Sequence, residues 1–154
     1  MNEINKECTF VLVEDDLGHA RLIQKNLHRS GVQNKIVHLT TGRQAVDFLL
    51  SQGEYAGSPP PATVLVLLDL NLPEMDGFTV LKHLKADERS KNIPVIMLTT
   101  TDDSREVKRC YELGCSVFIT KPVDYDLFSE AIQKLGRFLN VIKLPDGGVK
   151  YVEQ

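Results

Sequence analysis

The sequence contains no run of apolar residues approaching the roughly 18 to 20 needed to cross a bilayer, and no block of lysine and arginine. With a net charge of -3 and a pI near 5.8, it is poorly suited to gripping a phosphate backbone, so nucleic-acid binding is not expected as its main activity. The polar stretch Met1 to Cys8 shows no secretory leader, and a cytoplasmic protein with no membrane association is expected. Cysteine is scarce: Cys8, Cys110 and Cys115 are odd in number, have no zinc-site spacing and no nearby histidine, and read as small buried thiols. Neither G-x-G-x-x-G nor G-x-x-x-x-G-K-[ST] occurs, which removes the common nucleotide-binding loops. There is no internal repeat or low-complexity segment. At 154 residues and 42% hydrophobic content, the chain fits one domain with a sizeable core.

What is present is a set of short apolar runs with chemistry at their ends. Val64-Leu65-Val66-Leu67-Leu68 closes on Asp69, and Phe10-Val11-Leu12-Val13 closes on Glu14-Asp15-Asp16. Pro94 to Leu98 leads into Thr99-Thr100-Thr101, and Ser116 to Thr120 into Lys121-Pro122. Continuous apolar runs bounded by turn formers read as strands covered on both faces, as in a parallel sheet. Ligands of such sheets gather at the C-terminal strand ends. Each tip also has a plainer reading: acids cap helices, threonines make turns, and a lone lysine is usually solvated. The coincidence of all four tips in one register is the argument for a site.

Helical signals fill the intervals. Leu17 to Arg29 carries Ala20, Ile23 and Leu27 at helical spacing before Ser30-Gly31, and Thr41 to Leu50 follows the short strand Ile36 to Leu39. Gly53 to Pro61 reads as a loop because consecutive prolines cannot donate to helix or sheet. Phe78 to Ala86 and Ser104 to Leu113 are further helices, the latter ended by Gly114. Five alternations of strand and helix call for right-handed crossovers and helices on both faces of the sheet. A last helix carries Leu127, Phe128, Ala131, Ile132, Leu135, Phe138, Leu139 and Ile142 within an arc of about 140°, broader than the roughly 100° that a core-facing helix requires. The excess either covers a sheet edge, leaving the stripe wholly intramolecular, or meets a partner chain. Asp146-Gly147-Gly148 signals a turn, giving a short hairpin or a frayed tail over 146–154 after a domain spanning 1–145.

Glu14, Asp15, Asp69, Thr99 and Lys121-Pro122, over about residues 8 to 140, resemble the signature of receiver domains of bacterial two-component response regulators. That resemblance implies an α/β fold: a (βα)5 doubly wound, five-stranded parallel sheet of flavodoxin-like strand order 2-1-3-4-5. The insert from Ser51 to Thr63, the string Leu68-Asp69-Leu70-Asn71-Leu72-Pro73 and the ending Val141-Ile142-Lys143-Leu144-Pro145 look most like the stand-alone regulators paired with phytochrome-type kinases.

Three carboxylates at neighbouring tips oppose one another's ionisation, and a divalent cation with hard oxygen ligands relieves this, Mg²⁺ being the natural choice. By resemblance, Asp15 and Asp69 ligate it, Glu14 acts through water, and the Asn71 carbonyl completes the set. Asp16, one position past the pair, is expected to be a helix cap. The family's reaction would place a phosphoryl group from a sensor histidine kinase on Asp69, with Lys121 neutralising charge and Thr99 donating to the product. Phe118, three residues before Lys121, stands where the family has its switch aromatic; without a hydroxyl it could signal only by packing, and it also reads as a plain core residue. Thr100 would lie beside the phosphate, with Asn71 and Thr101 along the path of hydrolytic water. The resemblance further implies a regulator rather than an enzyme, a cis Lys121–Pro122 bond, and signalling through the fourth helix, fifth strand and fifth helix. A two-fold homodimer is expected there, with Val141 to Pro145 contributing. Two other readings stand beside this one. Haloacid-dehalogenase-type phosphatases need a second Asp where Asn71 stands, and a phosphorylation-independent binding module would not need every charged position.

Overall fold

The computed structural model describes residues 7–142. β1 (Thr9–Val13), α1 (Leu17–Arg29), β2 (Ile36–Leu39), α2 (Gly42–Leu50), β3 (Val64–Leu68), α3 (Gly77–Ala86), β4 (Val95–Thr99), α4 (Ser104–Leu113), β5 (Val117–Thr120) and α5 (Tyr125–Leu139) follow one another. All strand pairs are parallel, as expected from the alternation, and the order is β2-β1-β3-β4-β5, as the resemblance implies. The three inner strands are buried along their whole length, which is why they read as unbroken apolar runs.

Alternate strand residues feed two cores. Val11, Val13, Val66, Leu68, Val95 and Met97 pack with α2, α3 and Cys110 of α4. Phe10, Leu12, Leu65, Leu67, Ile96 and Leu98 pack with α1 and α5. The α1–α5 seam is close because Gly136 leaves room for Ser30: a Cβ there would lie within bonding range of the Ser30 hydroxyl. Half-buried amides cross the same seam, with Gln133 Nε2 donating to Asn26 Oδ1 at 2.8 Å and Asn140 Nδ2 to the Ser30 carbonyl at 3.1 Å. The three cysteines are unbridged and buried, as expected.

Asp side chains start four of these five helices, α1, α3, α4 and α5, each accepting from a first-turn N–H, and Asp16 is one of them. Gly114 ends α4 at φ 106°, a left-handed position that suits glycine. A 3-10 turn, Gly53–Tyr55, lies within the expected loop. α5 is shorter than its apolar stripe: it ends at Leu139 with Asn140 as its cap, and Ile142 packs on the core beyond it. The possible hairpin, the tail 146–154 and Lys143 to Pro145 fall outside the described residues. Among the described residues no helix is long and apolar enough to cross a membrane.

Every peptide bond among the described residues is trans, which corrects the expected cis Lys121–Pro122 bond. No reversal of the chain is needed to aim the ammonium. The Lys121 N–H donates to the Thr99 carbonyl at 2.7 Å, so the backbone is still running beside β4 and the long side chain spans the remaining distance.

Candidate functional site

The tips are extensions of the ladder, not free loops. The Glu14 N–H donates to the Leu39 carbonyl at 3.0 Å and the Asp69 N–H to the Val13 carbonyl at 3.2 Å. His38 Nε2 donates to the Glu14 carbonyl at 2.7 Å, fixing this tip from β2. Gly77, the first residue of α3, comes so close to the Asp69 carbonyl that any Cβ there would overlap backbone.

Lys121 is the centre of the arrangement, with its side chain 1% exposed. Its ammonium donates to Glu14 Oε1 in a short contact, to Asp69 Oδ2 at 3.1 Å and to His19 Nδ1 at 3.2 Å. Asp69 Oδ1 accepts from the Asn71 N–H at 3.3 Å, and Glu14 Oε2 from the Asp16 N–H at 3.2 Å. Glu14 and Asp69 are buried and Asp15 is exposed, yet each offers an oxygen within 4.8 Å of the others. Burial pushes the Glu14 carboxyl up to about 7 despite the hydrogen bond and charge of Lys121, and the neighbouring Asp69 adds to the rise.

The donor set fits a divalent cation. Three carboxylates face one ammonium, leaving excess negative charge among hard oxygen donors, with exposed Asp15 on the solvent side. The Thr99 hydroxyl is the remaining conspicuous group: it is fully buried and has no hydrogen-bond partner. A buried hydroxyl in that state ordinarily costs about 1–3 kcal/mol. An incoming oxygen would satisfy it.

Glu14, Asp15, Asp69 and Lys121 are thus brought together, and the Thr99 hydroxyl lies buried at the end of β4. Asn71 is exposed and contributes its N–H to Asp69; Thr100 is exposed at the rim. Thr101 is turned elsewhere, donating to Glu106 Oε2 at 2.5 Å. Phe118 is half-buried against the core over α2, α3 and α4, and its N–H donates to the Tyr111 hydroxyl at 3.0 Å. Two histidines escaped the sequence reading. His19 follows the Asp16 cap by three residues, a spacing that puts it over the strand tips, but its partner Lys121 is 102 residues away. Nothing local marks His38.

The family model described as the response regulator receiver domain matches residues 10–133. The chain belongs to that family. The receiver is 37% identical over 145 residues to the response regulator Rcp1 of Synechocystis, covering 94% of this chain and 97% of that one. Among solved structures, it is similar to a response regulator receiver domain from Rhodospirillum rubrum (TM-score 0.83, 49% identity, covering 90% of this chain and 98% of that one). The Mn²⁺-bound form of Rcp1 has a TM-score of 0.81 at 37% identity, covering 89% and 98% of the two chains. The phosphorylated cyanobacterial phytochrome response regulator RcpA matches with a TM-score of 0.81 at 34% identity, covering 90% and 98%. The receiver is therefore a phosphoacceptor of two-component signalling with phytochrome-associated homologues. Receivers of this kind bind a divalent metal, are phosphorylated by histidine kinases, and act as regulators.

Proposed function

We propose that Asp69 is the phosphoacceptor of this receiver and that its group comes from a sensor histidine kinase of the phytochrome type. An Asp69 carboxylate oxygen attacks the phosphorus of a phosphohistidine; the new O–P bond forms as the N–P bond breaks, and the imidazole nitrogen leaves with the electron pair. The observation that carries the reading is the Lys121 ammonium at 3.1 Å from Asp69 Oδ2, inside a cluster of three carboxylates. Loose phosphoryl transfer is accelerated by positioning and charge neutralisation, which these groups provide.

Asp15, Asp69, the Asn71 carbonyl and, through water, Glu14 would hold Mg²⁺, for which the Mn²⁺ of Rcp1 is a chemical parallel. Such a cation, when bound, neutralises charge on phosphoryl oxygens. Lys121 steadies one phosphoryl oxygen, and the unpartnered Thr99 hydroxyl donates to another, favouring a second conformation in which Phe118 repacks. Output passes through α4, β5 and α5 of a cytoplasmic receiver spanning 1–145.

A homodimer through the same surface is supported by Phe138, 52% exposed beside Ile96, Val117, Ile119, Ala131 and Leu135 at β5, the edge strand of the sheet among the described residues. Phe128 and Leu139, the other candidates on that helix, are buried and serve the core. In the proposed reaction, Mg²⁺ and acetyl phosphate add one phosphoryl mass to the wild type and none to Asp69→Asn. Equal labelling of the two proteins removes Asp69 from the mechanism.

A further inference from the structure

Lys121 has a third acceptor that the reaction above leaves unexplained. An ammonium has three N–H bonds in tetrahedral directions and no lone pair. Two of those bonds point at Glu14 and Asp69, both of which are committed to the acid cluster. The third meets His19 Nδ1 at 3.2 Å. Since Lys121 can only donate, a hydrogen bond here uses the Nδ1 lone pair; Nδ1 also lies 3.8 Å from Glu14 Oε1, and Nε2 lies 3.8 Å from Asp16 Oδ2.

The ring is itself held. It stands edge-on to Phe128, with centroids 5.5 Å apart and planes at 76°. Phe128 is buried in the first turn of α5, while the His19 N–H is tied to the Asp16 cap at 3.0 Å. His19 therefore carries a fixed acceptor, braced by α1 on one side and α5 on the other.

From this geometry we propose that His19 is a positioning residue for phosphoryl transfer: it fixes the direction of the Lys121 ammonium by accepting its third proton. The inference rests on the reading of Asp69 and Lys121 given above. A lysine side chain is long and rotatable, and two carboxylates alone leave the ammonium free to follow whichever acid moves when the phosphoryl group arrives. A ring nitrogen held by the Asp16 cap and by Phe128 stays in place as the charge on Asp69 is rearranged. It keeps one N–H engaged and holds the ammonium where another can turn from its carboxylate to a phosphoryl oxygen, which is the preorganisation on which transfer depends.

Two variants separate the acceptor from the ring. His19→Phe keeps a ring against Phe128 and removes the lone pair. His19→Asn removes the ring and places an amide oxygen about where Nδ1 was. The expected initial rate of acetyl-phosphate labelling falls about ten-fold or more in His19→Phe and stays within about three-fold of wild type in His19→Asn. The opposite order would mean that ring packing is what matters, and unchanged rates in both would mean that the contact is idle; either overturns the proposal. A purely structural role predicts rates that track thermal stability, so melting temperatures accompany each rate.

The metal-free wild-type protein supplies an independent readout by nitrogen-15 NMR. A His19 Nδ1 that carries no proton, with a slowly exchanging Lys121 ammonium signal that is lost in His19→Phe, is the expected result. A proton on Nδ1 overturns the proposal, because an N–H cannot accept. If the wild type fails to take up a phosphoryl group, the reading of Asp69 falls while the NMR result still stands, so the two failures are distinguishable.

Discussion

Replacing Gly77 with alanine tests how tightly the phosphoacceptor is held. Gly77 does not adopt a left-handed conformation, so alanine is acceptable to its backbone and only space is at issue. A Cβ there would lie close against the Asp69 carbonyl oxygen, 2.7 Å from Leu70 Cα and 3.0 Å from the Asp69 carbonyl carbon. All three atoms are backbone, so no side-chain rotation relieves the overlap. The Gly77 N–H also donates to the Leu70 carbonyl at 2.8 Å, which ties the start of α3 to the same turn. To regain ordinary contact, either α3 or the Asp69–Leu70 peptide must retreat by about 1 Å; overpacking of this kind costs about 1–3 kcal/mol. For a domain of this size that corresponds to a drop in melting temperature of roughly 3 °C per kcal/mol. A displacement of about 1 Å at a reacting group can slow transfer by about 100-fold. Melting by circular dichroism and initial rates of acetyl-phosphate labelling, read by intact mass, measure both effects. A folded Gly77→Ala protein labelled at the wild-type rate would refute the idea that this close approach sets the position of Asp69.

Two further outcomes follow from the structure. Because the Glu14 carboxyl is raised to about 7, the folded metal-free protein retains a proton that the unfolded chain releases near 4.5, so its stability should fall as pH rises through that window. Urea midpoints from pH 4.5 to 8 should show this slope in EDTA, a flatter one with excess Mg²⁺, and none from this source in Glu14→Gln; a metal-free stability that rises across the window as strongly as in Glu14→Gln contradicts the assignment. Light scattering over a range of concentrations, with and without phosphorylation, should show a dimer that phosphorylation shifts and that Phe138→Glu weakens while remaining folded; a monomer throughout removes the α5 interface.

The architecture was legible because the inner strands are covered on both faces and therefore spell unbroken apolar runs, while helix starts carry Asp caps such as Asp16. The chemistry was legible at Glu14, Asp69, Thr99 and Lys121 because each directly follows or ends such a run. His19 and His38 were not, since their partners are joined to them only by the packing of α1 and β2 against the strand tips. The stripe on α5 showed an apolar face but not its division: Phe128 and Leu139 turn into the core, whereas Leu127 and Phe138 remain exposed. The trans Lys121–Pro122 bond runs against the family expectation, and local sequence fixes neither isomer.

The alternation of side chains along the strands has a consequence for how variants combine. Continued to the tips, it sends Glu14, Asp69 and Lys121 toward the face that carries α1 and α5, as Leu12, Leu67 and Ile119 go. Thr99 falls in the opposite set with Met97, and Phe118 packs on that second face. In the proposed mechanism, Glu14, Asp69 and Lys121 therefore belong to one side of the sheet and the Thr99–Phe118 pair that responds to the phosphoryl group to the other, meeting only at the C-terminal edge. Substitutions deep in the α1–α5 face and deep in the α2–α4 face should have additive free energies, one set changing the speed of loading and the other the strength of the response. Non-additivity should be confined to pairs at that edge, such as Asp69 with Thr99.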